Sequence, residues 1–319
     1  MAPRRTTGSL PKHCPELLES PLHAQPLNTP TELTIPLQHL KLTARVWGPE
    51  DAPPVIACHG WLDNAASFDH LAPLLPDCRL VALDLPGHGH SDHRPPGAVY
   101  HFLDMVSELF EVADYFGWEK FALLGHSMGA GLSTITAGTF PERITRLLLI
   151  EGLGPLAKPA EEAPDILRES VELWQAFPKK RMPQYVSEQV AVVARHAVSD
   201  MAESSVHALV QRNLRPEGER FTWHTDPRLK VRSRVYLTEA QVCAFLANLR
   251  MPTLLITGKQ SVLAEWLDLI HSRIALVSAL EHVELNGGHH LHLDNPESVA
   301  EAIRQFLFRN PCISEHSPT

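Results

Sequence analysis

One pentapeptide, Gly125-His126-Ser127-Met128-Gly129, constrains what this chain can fold into more than any other feature. The apolar run Phe121-Ala122-Leu123-Leu124 precedes it, and a helix-compatible stretch follows. A G-x-S-x-G sequence in that setting places its serine on a tight strand-to-helix turn, with the hydroxyl projecting above a sheet. Such a turn forces unfavourable backbone angles on the serine and leaves no room for side chains two positions to either side. Gly125 and Gly129 are expected to supply that room. The helix N-terminus then points at Ser127, and the Met128 N–H can bind a developing oxyanion.

The rest of the chain suits a sheet that could carry such a turn. Leu33, Ile35 and Leu37 alternate with polar neighbours, as do Leu42, Ala44 and Val46, which reads as two strands. Short continuous apolar runs follow at 54–58, 80–83, 121–124, 147–150 and 254–256. Runs of this kind fit strands buried on both faces of a parallel sheet. Helical patterns lie between them. The spacing of Phe102, Leu103, Val106, Leu109, Phe110, Ala113 and Phe116 predicts a helix over 100–116, stopped by Gly117. Another is expected from Pro296, with Asn295 as its cap and Val299, Ile303, Phe306 and Leu307 on its apolar face. This alternation predicts an α/β fold with a mostly parallel sheet and helices on both faces.

The rhythm lapses between Gly154 and Arg250, where helical patterns over 166–177, 184–198, 206–214 and 239–249 come without a comparable buried strand run. Residues 155–249 are therefore expected to form an inserted helical cap over one edge of the sheet, with 31–154 and 250–310 as the core. Leu167, Val171, Trp174, Phe177, Val190, Val193 and Phe245 sit at helical spacing in the insert, so a packing role is expected for each. Residues 1–30, with six prolines, and 311–319 read as tails.

Composition removes several function classes. Hydrophobic residues at 44% and charged residues at 20% give an ordinary globular mix. A net charge of −9 argues against nucleic acid or an anionic membrane as partner. No apolar stretch approaches the ~18–20 residues that span a bilayer. Arg4 and Arg5 precede no apolar segment, so a secretory signal is not expected. The five cysteines (Cys14, Cys58, Cys78, Cys243, Cys312) are odd in number and form no C-x-x-C pair. That usage excludes a disulfide framework and fits a reducing compartment, so a cytoplasmic location is expected.

A serine nucleophile needs a base, an acid and oxyanion donors. His59-Gly60-Trp61 follows the run at 54–58. Gly60 lets this loop lie close to the elbow, and the Trp61 N–H is a candidate second oxyanion donor. Among nineteen histidines the best-placed base is His289, after Gly287-Gly288 and the last strand-like run, with His290 and His292 as alternatives. For the acid, Glu151 directly follows the run at 147–150, at the end of a parallel strand where catalytic groups gather. Glu265 and Asp268 are the alternatives further along, beyond Gly258-Lys259-Gln260-Ser261. The chain order Ser127, Glu151, His289 suits this architecture.

Taken together, His59-Gly60-Trp61-Leu62-Asp63-Asn64, Asp84-Leu85-Pro86-Gly87-His88-Gly89, the Ser127 elbow, Asp226-Pro227-Arg228-Leu229 and Gly287-Gly288-His289 resemble the α/β-hydrolase superfamily over about Leu40 to Phe308. The likeness is greatest to serine hydrolase-like proteins and bacterial esterases. It implies an α/β-hydrolase sheet and a serine nucleophile, and it does not choose a substrate. Several of these relatives place an Asp after the sixth strand together with a Gly-x-x-Ser pattern after the seventh. This chain has Glu151 and Gly258 to Ser261 at those places, which supports Glu151 as the acid.

Two other patterns bear on function. His88-Gly89-His90-Ser91-Asp92-His93 spells H-x-H-x-D-H, a pattern of binuclear metallohydrolases, yet it also completes the loop that begins at Asp84. No metal is expected there. Arg228, Lys230, Arg232 and Arg234 alternate, and if extended they would set four positive charges on one side. The solvated-face reading is preferred over attraction of an acidic substrate, and Lys179-Lys180-Arg181 reads as an exposed loop. The expectation is thus a serine hydrolase acting on small carboxylic esters of short to medium chain, with no cofactor, no metal and His59, Gly60, Gly125, His126 and Gly129 shaping the turns. Thioesters, amides, lactones and carbon–carbon bonds remain open to the same residues. A metallohydrolase or a non-catalytic binding protein are the readings from other classes.

Overall fold

The computed structural model describes residues 29–177, 182–261 and 267–310. Residues 1–28 of the expected tail 1–30, the expected tail 311–319, Glu265 and the loop Lys179-Lys180-Arg181 lie outside them. The chain opens with β1 (Thr31–Pro36), β2 (Lys41–Trp47), β3 (Pro54–Cys58) and β4 (Arg79–Leu83). It continues through α1 (Asp104–Tyr115), β5 (Phe121–His126), α2 (Met128–Thr139) and β6 (Ile144–Ile150). The inserted stretch holds α3 (Ala163–Ala176), α4 (Glu188–His196), α5 (Glu203–Asn213), β7 (Leu214–Glu217), β8 (Arg220–Trp223) and α6 (Glu239–Ala247). β9 (Thr253–Gly258), α7 (Leu267–Ile274), β10 (Leu280–Leu285), α8 (Leu291–Asp294) and α9 (Pro296–Arg309) complete it.

Eight strands form one sheet in the order β1-β2-β4-β3-β5-β6-β9-β10. Only β2 runs against its neighbours, pairing antiparallel with β1 and β4; every pairing from β4 to β10 is parallel. Consecutive residues of the central strands feed opposite layers. Leu123, Leu147 and Leu149 join α1, α2 and α6 on one face; Leu124, Leu148 and Ile150 join α9 and Phe68 on the other. Both faces are therefore dry, which is why these strands read as unbroken apolar runs rather than as alternation.

The C-terminal ends of β3, β5, β6, β9 and β10 open onto one edge, and ligand sites gather at such edges in parallel sheets. In the insert, α4 and α5 enclose a small cluster of their own, with Ala191, Val192, Val206, Leu209 and Val210 buried. α6 instead packs Val242 and Leu246 into the first sheet layer. The packing role expected for Leu167, Val171, Val190 and Val193 is not met: they remain 37–60% exposed.

Three local expectations need correction. The helix predicted over 100–116 starts only at Asp104, and Tyr100, outside it, places its hydroxyl 2.7 Å from Asp226 Oδ2. Asn295 stands at the start of α9 but does not cap it; its side-chain amide donates to the Asn286 carbonyl at 3.1 Å. Arg228 to Arg234 do not form one charged face. Pro227–Lys230 is a 3-10 turn, Arg228 pairs with Asp226, Arg232 with Glu169, and Arg234 lies over the Trp174 ring.

Candidate active site

Ser127 stands between β5 and α2 with φ 52° and ψ −113°, a conformation that side-chain-bearing residues rarely adopt. Its N–H is held by the Ile150 carbonyl at 2.9 Å. The flanking glycines are required by contact. A Cβ on Gly125 would meet the Gly129 carbonyl oxygen at 2.4 Å, and one on Gly129 would meet the Cys58 carbonyl oxygen at 2.0 Å. The second contact also presses the elbow against the end of β3, so the loop through Trp61 begins beside it. Met128 is the first residue of α2, and its N–H is among those that a helix start leaves without an intrahelical acceptor.

His289 brings its ring between Ser127 and Glu151. Nδ1 lies 3.0 Å from Glu151 Oε2, and Nε2 lies 2.9 Å from Ser127 Oγ. An ionised carboxylate only accepts, so Nδ1 carries the proton and Nε2 is free to accept from the serine. The alternative histidines face elsewhere. His290 Nε2 is 3.2 Å from Asp63 Oδ2, and the buried His292 bonds Ser67 Oγ at 2.8 Å.

Glu151 is buried and sits at φ 57°, with its own N–H on the Ile256 carbonyl. The Gly258 N–H donates to Oε1 at 2.5 Å and the Ser261 hydroxyl donates to Oε2. Three donors, the Gly258 N–H, the Ser261 hydroxyl and the His289 ring, thus converge on one carboxylate. The competing Asp268 is exposed in the first turn of α7. Ser261 is a site residue that the sequence pattern marked without giving it a job.

Buried histidines frame the site as neutral rings. His126 Nε2 donates to the His289 carbonyl at 2.9 Å and so supports the loop that carries the base. Burial, with the neighbouring imidazoles His292, His290 and His289, holds its pKa well below the ordinary histidine value. His59 Nε2 accepts from the Leu85 N–H at 3.1 Å and Nδ1 donates to the Gly60 carbonyl at 2.7 Å, which joins the loops after β3 and β4. Burial lowers its pKa as well. Trp61 is 55% exposed and its indole N–H reaches the Leu229 carbonyl of the insert at 3.1 Å.

The H-x-H-x-D-H segment does not converge on a common point. His88 is buried between the Leu62 N–H and the Pro86 carbonyl, and burial pulls its pKa down to about 3. His90 faces Glu32, Asp92 accepts from the Lys41 N–H, and His93 donates to the His224 carbonyl. Each is occupied in holding the loop after β4.

This arrangement of sheet, elbow and histidine loop defines the class. The chain belongs to the α/β-hydrolase fold family, whose sequence pattern it matches over residues 53–296. Within that family it is serine hydrolase-like. It is 32% identical over 301 residues to a probable serine hydrolase of Drosophila melanogaster, covering 91% of each chain. The crystal structure of a hypothetical protein from Pseudomonas aeruginosa PAO1 is similar at 42% identity and a TM-score of 0.84, over 87% of this chain and 99% of that one. The thioesterase domain from the curacin biosynthetic pathway is similar at 28% identity and a TM-score of 0.76, over 87% of this chain and 100% of that one.

Proposed function

We propose that this hydrolase cleaves carboxylic esters of short to medium acyl chain through an acyl-enzyme on Ser127. The observation that carries the reading is the continuous hydrogen-bond chain from Ser127 Oγ through His289 to Glu151. As Ser127 Oγ attacks the ester carbonyl, His289 Nε2 takes its proton, and Glu151 stabilises the imidazolium by its bond to Nδ1. The Met128 and Trp61 N–H groups bind the tetrahedral oxyanion. His289 then returns the proton to the departing alcohol, and a water repeats the cycle on the acyl-enzyme. In this reading α3, α4 and α5 act as the cap that limits acyl length. The serine mechanism itself requires no metal or cofactor, and the substrate is a small molecule.

The test is labelling with a fluorophosphonate probe, peptide mapping of the adduct, and turnover across esters of increasing acyl length. Adduct on Ser127 and a maximum at short to medium chains are expected. Adduct elsewhere overturns the mechanism, and higher activity on emulsified long-chain esters overturns the closed cap. The likeness to a thioesterase domain over its whole length favours thioesters as the second substrate class. Parallel assays with acyl thioesters decide between them, since a thioester specialist would exceed the matched oxygen ester at equal chain length.

A further inference from the structure

Three loops bring a second cluster together beside the proposed catalytic residues. Asp63 comes from the loop after β3, His126 from the end of β5, and His290 from the loop after β10. One donor atom of each lies within 4.8 Å of the other two. Asp63 Oδ2 is 3.2 Å from His290 Nε2 and 3.9 Å from His126 Nδ1. Four-coordinate zinc with ligands near 2.0–2.1 Å separates neighbouring donors by about 3.3 Å, a spacing these distances bracket.

His126 supplies the independent sign that something belongs there. Its Nε2 must carry the ring proton, because it faces a carbonyl oxygen that can only accept. Nδ1 is then a lone pair, fully buried and without a hydrogen-bond partner, turned toward an Asp63 carboxylate oxygen. Two acceptors facing each other in a buried site repel unless a cation or a donor lies between them. Gly60 leaves the space open: a Cβ there would sit 3.0 Å from both Asp63 Oδ2 and His126 Nδ1. Arg195 engages the other carboxylate oxygen, Oδ1, at 3.3 Å, and Oδ2 is met by His290 Nε2 at 3.2 Å, whose proton a bound metal ion would displace.

We propose that Asp63, His126 and His290 form a binding site for one divalent transition-metal ion of the zinc type, with an open fourth position. Two imidazoles and a carboxylate suit zinc, cobalt or nickel and do not suit magnesium or calcium, which take oxygen ligands. The site is separate from the H-x-H-x-D-H segment, and it does not depend on which bond Ser127 attacks. His126 and His290 are chain neighbours of Ser127 and His289, so the ion would tie the loops after β3 and β10 to the end of β5.

Titration of the full-length protein with cobalt(II), read by visible absorption, tests this directly. The expected result is a saturable band typical of four-coordinate cobalt at one equivalent, displaced by zinc and unaffected by excess magnesium. Asp63→Asn and His290→Gln should each lose that band, and His289→Gln should keep it. Loss of a residue that only orients a ligand weakens a metal site ~10–100-fold, so loss of a ligand should empty this one at equimolar metal. Circular dichroism of each variant shows that it is folded. Should Asp63→Asn misfold, His290→Gln alone decides, because His290 is partly exposed and its ring is not part of a main core layer. Absence of binding, a band that survives in a folded His290→Gln, or a band lost in His289→Gln overturns the proposal.

Discussion

At the scale of single residues, the site is built from strained or close-packed positions that only a continuous framework can hold. Ser127 and Glu151 both have positive φ, and their N–H groups are anchored on the neighbouring strands β6 and β9. Removing the Ser127 hydroxyl removes the covalent step and almost no packing, so Ser127→Ala should lower ester turnover by ~10⁶-fold with unchanged thermal stability. Residual activity within tenfold of the parent would exclude Ser127 as nucleophile. Glu151→Gln should lower turnover by ~10⁴-fold, since the base loses its orienting acceptor, whereas Asp268→Asn should be silent. Ser261→Ala should cost roughly tenfold, because it removes one of three donors to the carboxylate. A kcat comparison of the three variants ranks them, and a larger loss in Asp268→Asn than in Glu151→Gln would overturn the assignment. Ser127, Glu151 and His289 were legible in the sequence because glycines and strand ends mark them locally. The work of Ser261 and Asp63 was not, because their partners Glu151 and His290 lie 110 and 227 positions away.

At the scale of elements, the central strands were legible from their apolar runs, and the helices from their periodicity. The hairpin β7–β8 was not, because Arg215, Glu217 and Arg220 break any apolar run and its turn at Gly218 is exposed. Nor could the sequence show how the insert is fastened. Arg212 of α5 is buried and reaches Asp84 after β4, with Nη2 at 2.7 Å from Oδ2, and also Glu32 of β1 at 2.8 Å. Asp84 in turn accepts from the Ala65 and His90 N–H groups. One guanidinium thus joins an insert helix to β1 and, through Asp84, to the loops after β3 and β4. Arg212→Met keeps the apolar stem but leaves the Asp84 carboxylate buried without its cation. It should destabilise the protein by about 3–5 kcal/mol, measured by urea denaturation. A change below about 1 kcal/mol would mean that the backbone donors alone satisfy Asp84.

Over the whole molecule, these pairs share a direction of pH response. Asp63, Glu32 and Asp226 each join the insert to the rest of the chain, through Arg195, Arg212 and Tyr100 respectively. Burial alone would raise the Glu32 carboxyl, but hydrogen bonds from His90 and Arg212 outweigh it and hold the pKa down to about 2. Burial likewise works against Asp63 and Asp226, and there His290 and Arg228 prevail, so both carboxyls lie below the ordinary range. A carboxyl depressed in the folded state contributes stability that is complete above its unfolded pKa and is lost as pH falls through the folded value. For Glu32 that window runs from the ordinary glutamate value of 4.5 down to about 2. The urea midpoint of the parent should therefore be level above this window and fall steeply within it. Glu32→Gln cannot take up that proton, so it should start lower and fall less over the same range. Glu32 is 45% exposed, so solvent screening reduces its share, and added salt should bring the two curves closer together. Parallel curves for parent and Glu32→Gln across the window would show that the acid sensitivity comes from the buried Asp63 and from Asp226, not from the link between β1 and α5.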